Sequence, residues 1–196
     1  MAQSRVMRLL AGALICLVAL GADAASAQPA PGRNENPQAE RVQGDSAEFL
    51  AEWHKRIPQM LRTGALRLRE EREQPDGARD QWFDQLHRGV PVEGGSLWRR
   101  LVNGSTQAID GTLYRDIRVN PVPKLTRAEA EAAIQALAPE RLGPSLPPEL
   151  LVLPKEDGTY VLVYRARVFS GTELVTHYVD ATTGAIVRSD AMPGPP

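Results

Sequence analysis

Cysteine is almost absent from this chain. The only one, Cys16, lies inside an apolar stretch near the N-terminus, and Ile15 precedes it where a bacterial lipoprotein signal carries a small residue. That argues against lipid anchoring. Arg5 and Arg8 open the chain, Leu9 to Ala22 form an apolar run of 14 residues, and Ala25-Ser26-Ala27 offers a cleavage site before Gln28. This is the pattern of an export signal over residues 1–27. The run is shorter than the roughly 20 residues a membrane span requires, so no stable membrane insertion is expected after cleavage. The expected location is periplasmic or secreted. The remaining 169 residues (196 − 27) hold no cysteine, so no disulfide can form and an apolar core must carry the fold.

An excess of one charge sign is missing too. Lys and Arg number 23 against 24 Asp and Glu, the formal net charge is −1, and the two signs are interleaved. A nucleic-acid footprint would show clustered basic residues and a high pI, so no nucleic-acid partner is expected. Histidine is scarce as well: His54, His87 and His177 only. A zinc hydrolase needs two histidines one helical turn apart with a glutamate beside the first, so that both imidazoles face one metal and the carboxylate activates its water. None of the three has that spacing, and the serines lack a convincing His and Asp constellation. No enzyme activity, no catalytic residue, no metal and no cofactor are expected.

What the chain does have is punctuated, patterned sequence. Residues 28–44 are rich in Pro, Gly, Asn and Gln and read as a flexible leader. Asp45 with Glu48 can form a capping box, and Phe49, Leu50, Trp53, Ile57 and Leu61 recur at helical spacing; Pro58 should kink or end that helix near Ile57. Leu66 to Glu73 alternates like an exposed strand, and Gln74-Pro75-Asp76-Gly77 is a turn signal. Asp80 to Val92 reads as one strand, mixed on both faces and suited to a sheet edge. The double glycine at Gly94-Gly95 then lets the backbone turn sharply. Ser96 to Val102 and Gln107 to Val119 read as strands about an Asn103-Gly104 turn. Asn120-Pro121-Val122-Pro123 removes two backbone donors and reads as a boundary.

Beyond it, Thr126 and Glu129 make a capping box with Leu125 as hydrophobic staple. Ala130, Ala133, Ile134, Leu137 and Ala138 follow on one helical face, and Pro139 ends the helix. Gly143 to Glu149 reads as a loop. Strands are expected at Leu150 to Leu153, Thr159 to Phe169, Glu173 to Val179 and Ala185 to Arg188, joined by turns at Glu156-Asp157-Gly158, Ser170-Gly171 and Asp180 to Gly184. In that last turn the Asp180 side chain can bond backbone donors two residues on, with Gly184 at positive φ.

Two segments carry a family resemblance. The run Asp80 to Gly95, ending in Gly89-Val90-Pro91-Val92-Glu93-Gly94-Gly95, resembles the core motif of the fungalysin/thermolysin propeptide (FTP) domain. Tyr178-Val179-Asp180-Ala181-Thr182-Thr183-Gly184-Ala185-Ile186-Val187 resembles the close of a PepSY domain. In this order they look like the propeptide of thermolysin-type zinc metalloproteases, without its catalytic domain. The resemblance implies an α+β fold of two small lobes, each a helix on an antiparallel sheet: an FTP-like lobe at 45–120, a PepSY-like lobe at 124–190 and a disordered tail at 191–196. It also implies a job. Such a propeptide inhibits its protease or assists its folding, here in trans, by surface complementarity. A cell-envelope PepSY-type binding module and the remnant of a truncated precursor are the alternatives. Trp82, Phe83 and Trp98 read either as core between the first helix and the sheet or as partner anchors, most plausibly Trp98 with Arg99 and Arg100. Arg165 and Arg167 read as a solvated strand face, or as cations that meet acidic groups of a partner.

Overall fold

The computed structural model describes residues 36–136, 147–170 and 173–192. The expected signal peptide with its Ala27–Gln28 cleavage point, Leu137, Ala138 and the Gly171 turn lie outside them. The strands are β1 (Ala39–Gln43), β2 (Leu66–Glu73), β3 (Arg79–His87), β4 (Val90–Val102), β5 (Ser105–Tyr114), β6 (Glu149–Pro154), β7 (Tyr160–Ser170), β8 (Glu173–Asp180) and β9 (Ile186–Met192). Two helices join them, α1 (Ala47–Arg62) and α2 (Arg127–Gln135). The fold is α+β.

Two corrections concern the ends. Ala39–Gln43 is not flexible leader but strand, paired antiparallel with β5 from Ala39↔Tyr114 to Gln43↔Asp110. Val42 is the reason: it is 1 % exposed, beneath α1. At the other end β9 continues to Met192, so the first two residues of the expected tail pair with β8.

Helix α1 begins one residue later than expected. Ser46, rather than Asp45, is the N-cap and accepts from the Phe49 amide at 3.2 Å. The helix also runs through Pro58 to Arg62. A helix-interior proline costs about 3 kcal/mol, yet Trp53 and Ile57 are 3 % and 0 % exposed, and burying such side chains returns about 1.5–3 kcal/mol each. Packing therefore outweighs the local break. These residues meet Leu66, Phe83, Leu97, Ile109 and Leu113 from the sheet.

The expected single strand over Asp80 to Val92 is two strands. Arg88 and Gly89 have φ of 49° and 86°, the pair of positive values that a tight two-residue hairpin requires, so the chain reverses there and not at Gly94-Gly95. Nor is β3 an edge: β2 lies on one side of it and β4 on the other. Strand β4 is the hub. Residues 96–101 pair with both β3 and β5, while Val92 pairs in parallel with Val152 of β6, from which β7, β8 and β9 continue antiparallel.

The second helix carries the capping box, with Thr126 accepting from Glu129 N and Glu129 accepting from Thr126 N. Ala130 and Ile134 close over Leu162, Tyr164, Ala166, Val168 and Val179; Leu125 packs against this cluster, and Val90 and Val92 of β4 belong to it. Each helix thus has its own apolar cluster, but β4 contributes to both and the described residues fall in one compact unit. On the other face of the β6–β8 region Leu151, Leu153, Val163 and Tyr178 form a smaller cluster.

Candidate functional site

Gly94-Gly95 lies within β4, where it makes a bulge. Asp84 pairs with Ser96 and Leu86 with Pro91, so one residue of β3, Gln85, faces four of β4, residues 92–95. Gln85 fills the gap. Its side-chain amide donates to the Tyr114 carbonyl at 2.7 Å and accepts from the Tyr114 amide at 2.8 Å, continuing a β-ladder from β3 to β5 where β4 has left the plane. A Cβ on Gly95 would stand 2.6 Å from Gln85 Oε1, and Gly94 has φ of +74°. Both glycines are therefore needed, for different reasons: one for room, one for backbone conformation.

The bulge projects Glu93 toward the second half of the chain. Glu93 accepts from Arg165 Nη1 at 2.7 Å and from the Tyr178 hydroxyl at 3.0 Å, and Arg165 Nη2 reaches Glu149 at 2.6 Å. Burial pulls the Arg165 pKa down, but the two carboxylates outweigh it and the net direction is up. The Arg165 hydrogen bond holds the Glu149 carboxyl below the ordinary range. Burial, then the nearby Glu93 charge, pushes the Tyr178 and Tyr114 phenols up.

Beside this network lies a cleft of about 730 Å³. Arg67, Arg69 and Asp84 form one wall; Pro91 to Ser96, Glu149 to Leu151, Arg127 and Arg165 complete it. Arg67 and Arg69, two residues apart on β2, share the face that reaches this wall. Arg67 and Arg69 then bind separate oxygens of Asp84, at 3.2 Å and 3.1 Å.

The residues singled out from sequence are dispersed. Trp98, Arg99 and Arg100 do not form one patch, because strand alternation sends neighbours to opposite faces. Arg99 is buried on the α1 side. Its guanidinium stacks over the Phe83 ring at 5.3 Å and Nε donates to Gln81 Oε1 at 2.6 Å, while burial lowers its pKa. Phe83 is core at 0 % exposure. Trp82 and Trp98 sit directly opposite one another on the other face, half-buried, with Asp110 the next partner of Trp98 along the ladder. Arg72 lies over the Trp82 ring at 5.5 Å, and Arg100 pairs with Asp76 at 2.6 Å. Arg165 is engaged within the chain; Arg167 is exposed. Asp180 Oδ1 accepts from the amides of Thr182 and Thr183 at 2.7 Å and 2.8 Å, and Gly184 has φ of 78°.

The three histidines lie apart, against Thr106, the Val119 carbonyl and Ser189 respectively. Among the described residues no group of three or more His, Cys, Asp or Glu gathers as a metal site, and no helix is long and apolar enough to cross a membrane. Glu93, Gln85, Arg67, Arg69 and Arg127 escaped the sequence reading. The one available signal was a charged residue enclosed in the glycine-rich motif at position 93.

No family model and no curated protein matches this chain. Among solved structures it is similar to the C-terminal domain of Bacillus megaterium YpeB, at 16 % identity and a TM-score of 0.41 over 78 % of this chain and 67 % of that one. It is also similar to a candidate lipoprotein of Clostridium difficile 630, at 11 % identity and a TM-score of 0.32 over 70 % of this chain and 90 % of the other. Likeness at this level assigns this chain neither a family nor a function.

Proposed function

We propose that this chain is an exported, non-catalytic binding protein of propeptide type, with FTP-like and PepSY-like lobes, which inhibits a thermolysin-type metalloprotease or assists its folding in trans. The motif order supports the family half of this reading. One structural observation supports the binding half: the sheet face opposite α1 presents Trp82 and Trp98 side by side, with no helix over them among the described residues. Paired tryptophans flanked by arginines make a surface of hot-spot composition. The partner would be held by that face, and no residue of this chain would need to do chemistry.

The test is direct. The chain is added as a separate molecule to a thermolysin-type protease from the same organism, and both proteolysis and refolding yield are followed. Trp98→Ala should weaken the effect by about 2 kcal/mol or more, the hot-spot scale, while circular dichroism stays unchanged. A full effect from that variant would move the contact elsewhere. No effect from the wild-type chain at micromolar concentration would remove the protease and leave an envelope binding module in its place.

A further inference from the structure

We infer that the cleft beside the glycine bulge is a docking site for an acidic peptide segment of a protein partner, gripped by Arg67, Arg69 and Arg127. This does not depend on the partner being a protease.

The argument begins with unspent donors. Asp84 gives one oxygen to Arg67 Nη2 and the other to Arg69 Nη1. Each guanidinium has five N–H groups in a planar fork and commits a single one here, so each keeps an edge free for a bidentate carboxylate. Their side chains are 57 % and 54 % exposed against 20 % for Asp84, so the heads stand in the cleft with their shared anion beneath. Two cations on one anion leave a local surplus. Arg127, the first residue of α2, also lines the cleft and is exposed; it acts on Glu149 through its charge, helping to lower that carboxyl's pKa, without a close ion pair among the described residues. Arg165 adds nothing to the surplus, because Glu93 and Glu149 occupy it. The lining holds four arginines against three carboxylates (Asp84, Glu93, Glu149), an excess of one.

Shape and spacing select the occupant. A volume near 730 Å³ suits a few residues of chain, and Pro91 and Leu150 offer apolar wall between the charges. A lipid surface would bring its anionic headgroups against Glu93 and Glu149, which share the lining with the arginines. A polyanionic backbone would run its continuous charge past Glu93 and Glu149. A peptide with carboxylates spaced along it can meet the arginines and avoid both. Since the whole chain carries a net charge of −1, attraction of an acidic peptide must come from a local site rather than from the general field.

The test uses the full chain and a fluorescein-labelled dodecapeptide of alternating Glu and Ser, with its Lys-for-Glu counterpart, followed by fluorescence anisotropy. The acidic peptide should bind and weaken as salt rises. Arg67→Gln with Arg69→Gln should lower its affinity at least tenfold and Arg127→Gln at least threefold, while Arg41→Gln and Arg62→Gln, outside the cleft, stay within twofold. Asp84→Asn frees both forks and should tighten binding severalfold, a gain that misfolding cannot imitate. Equal binding of the Lys peptide, equal loss in Arg62→Gln, unchanged or weaker binding in Asp84→Asn, or no binding at millimolar peptide would overturn the inference. Displacement of the peptide by inorganic phosphate at equal concentration would reduce the cleft to a simple anion site and overturn it also.

Discussion

At the scale of single residues, the contact between Gln85 and Gly95 explains most of the motif. Gln85 is 7 % exposed and satisfies both backbone groups of Tyr114. Removing it leaves a donor and an acceptor unpaired, at about 1–3 kcal/mol each. Gly95→Ala would force its Cβ onto the Gln85 amide, and overpacking of that kind costs about 1–3 kcal/mol. Both losses should appear in urea unfolding. The double variant Gln85→Ala with Gly95→Ala should be less destabilised than the sum of the two, since the 2.6 Å contact with Oε1 goes with the amide while the 2.9 Å approach to the Cβ at position 85 remains; strict additivity would mean that the two positions do not touch. A second residue-scale outcome concerns pH. Hydrogen bonds from the Thr159 hydroxyl and amide, then from Lys155, lower the Asp157 pKa from 3.8 to about 2. A depressed carboxyl pKa stabilises the fold above the unfolded value, and that stability is lost as pH falls from about 4 through about 2. Unfolding midpoints of wild type and Asp157→Asn should therefore converge on acidification across that window. Divergence would reverse the assigned sign.

At the scale of elements, the α1 stripe, the β2 alternation, the Asn103-Gly104 hairpin and the Thr126 capping box were legible in sequence, because each rests on local periodicity or on local hydrogen bonds. Three features were not. The hairpin at Arg88-Gly89 was hidden because a non-glycine residue supplies the first positive φ. The leader strand β1 was hidden because its pairing depends on β5, some seventy residues away along the register Val42↔Gly111. The α1 helix outlasts Pro58 because the packing that rescues it is tertiary. That last point has a consequence: Pro58→Ala restores an intrahelical donor and should raise stability by about 2 kcal/mol, the helix-interior cost less what proline saves in the unfolded chain. A lower melting temperature would show that the proline ring itself is needed in the packing. The candidate site was legible only in part. Trp98 lies half-buried on the face away from α1, Arg99 falls to the core side by strand alternation, and Arg67 and Arg69 share a face by the same alternation, but their meeting with Arg127 depends on tertiary packing that no local pattern announces.

At the scale of the whole molecule, β4 joins the two halves: its C-terminal part builds the sheet under α1, and Val90 and Val92 enter the cluster under α2. The glycine-rich motif is thus committed to architecture, to the hairpin, the bulge and the passage between the two clusters. On this account Phe83→Ala should unfold the molecule by about 3–5 kcal/mol, as core aromatics do, whereas Trp98→Ala should cost less than half of that in stability and show its main effect in binding. The most direct measurement is a titration of a thermolysin-type metalloprotease from the same organism with wild-type chain and with Trp98→Ala. The account predicts slowed proteolysis or raised refolding yield with the wild type, and at least a thirtyfold weaker effect with the variant, the equivalent of about 2 kcal/mol. A protease that neither slows nor refolds better in the presence of micromolar wild-type chain would contradict it.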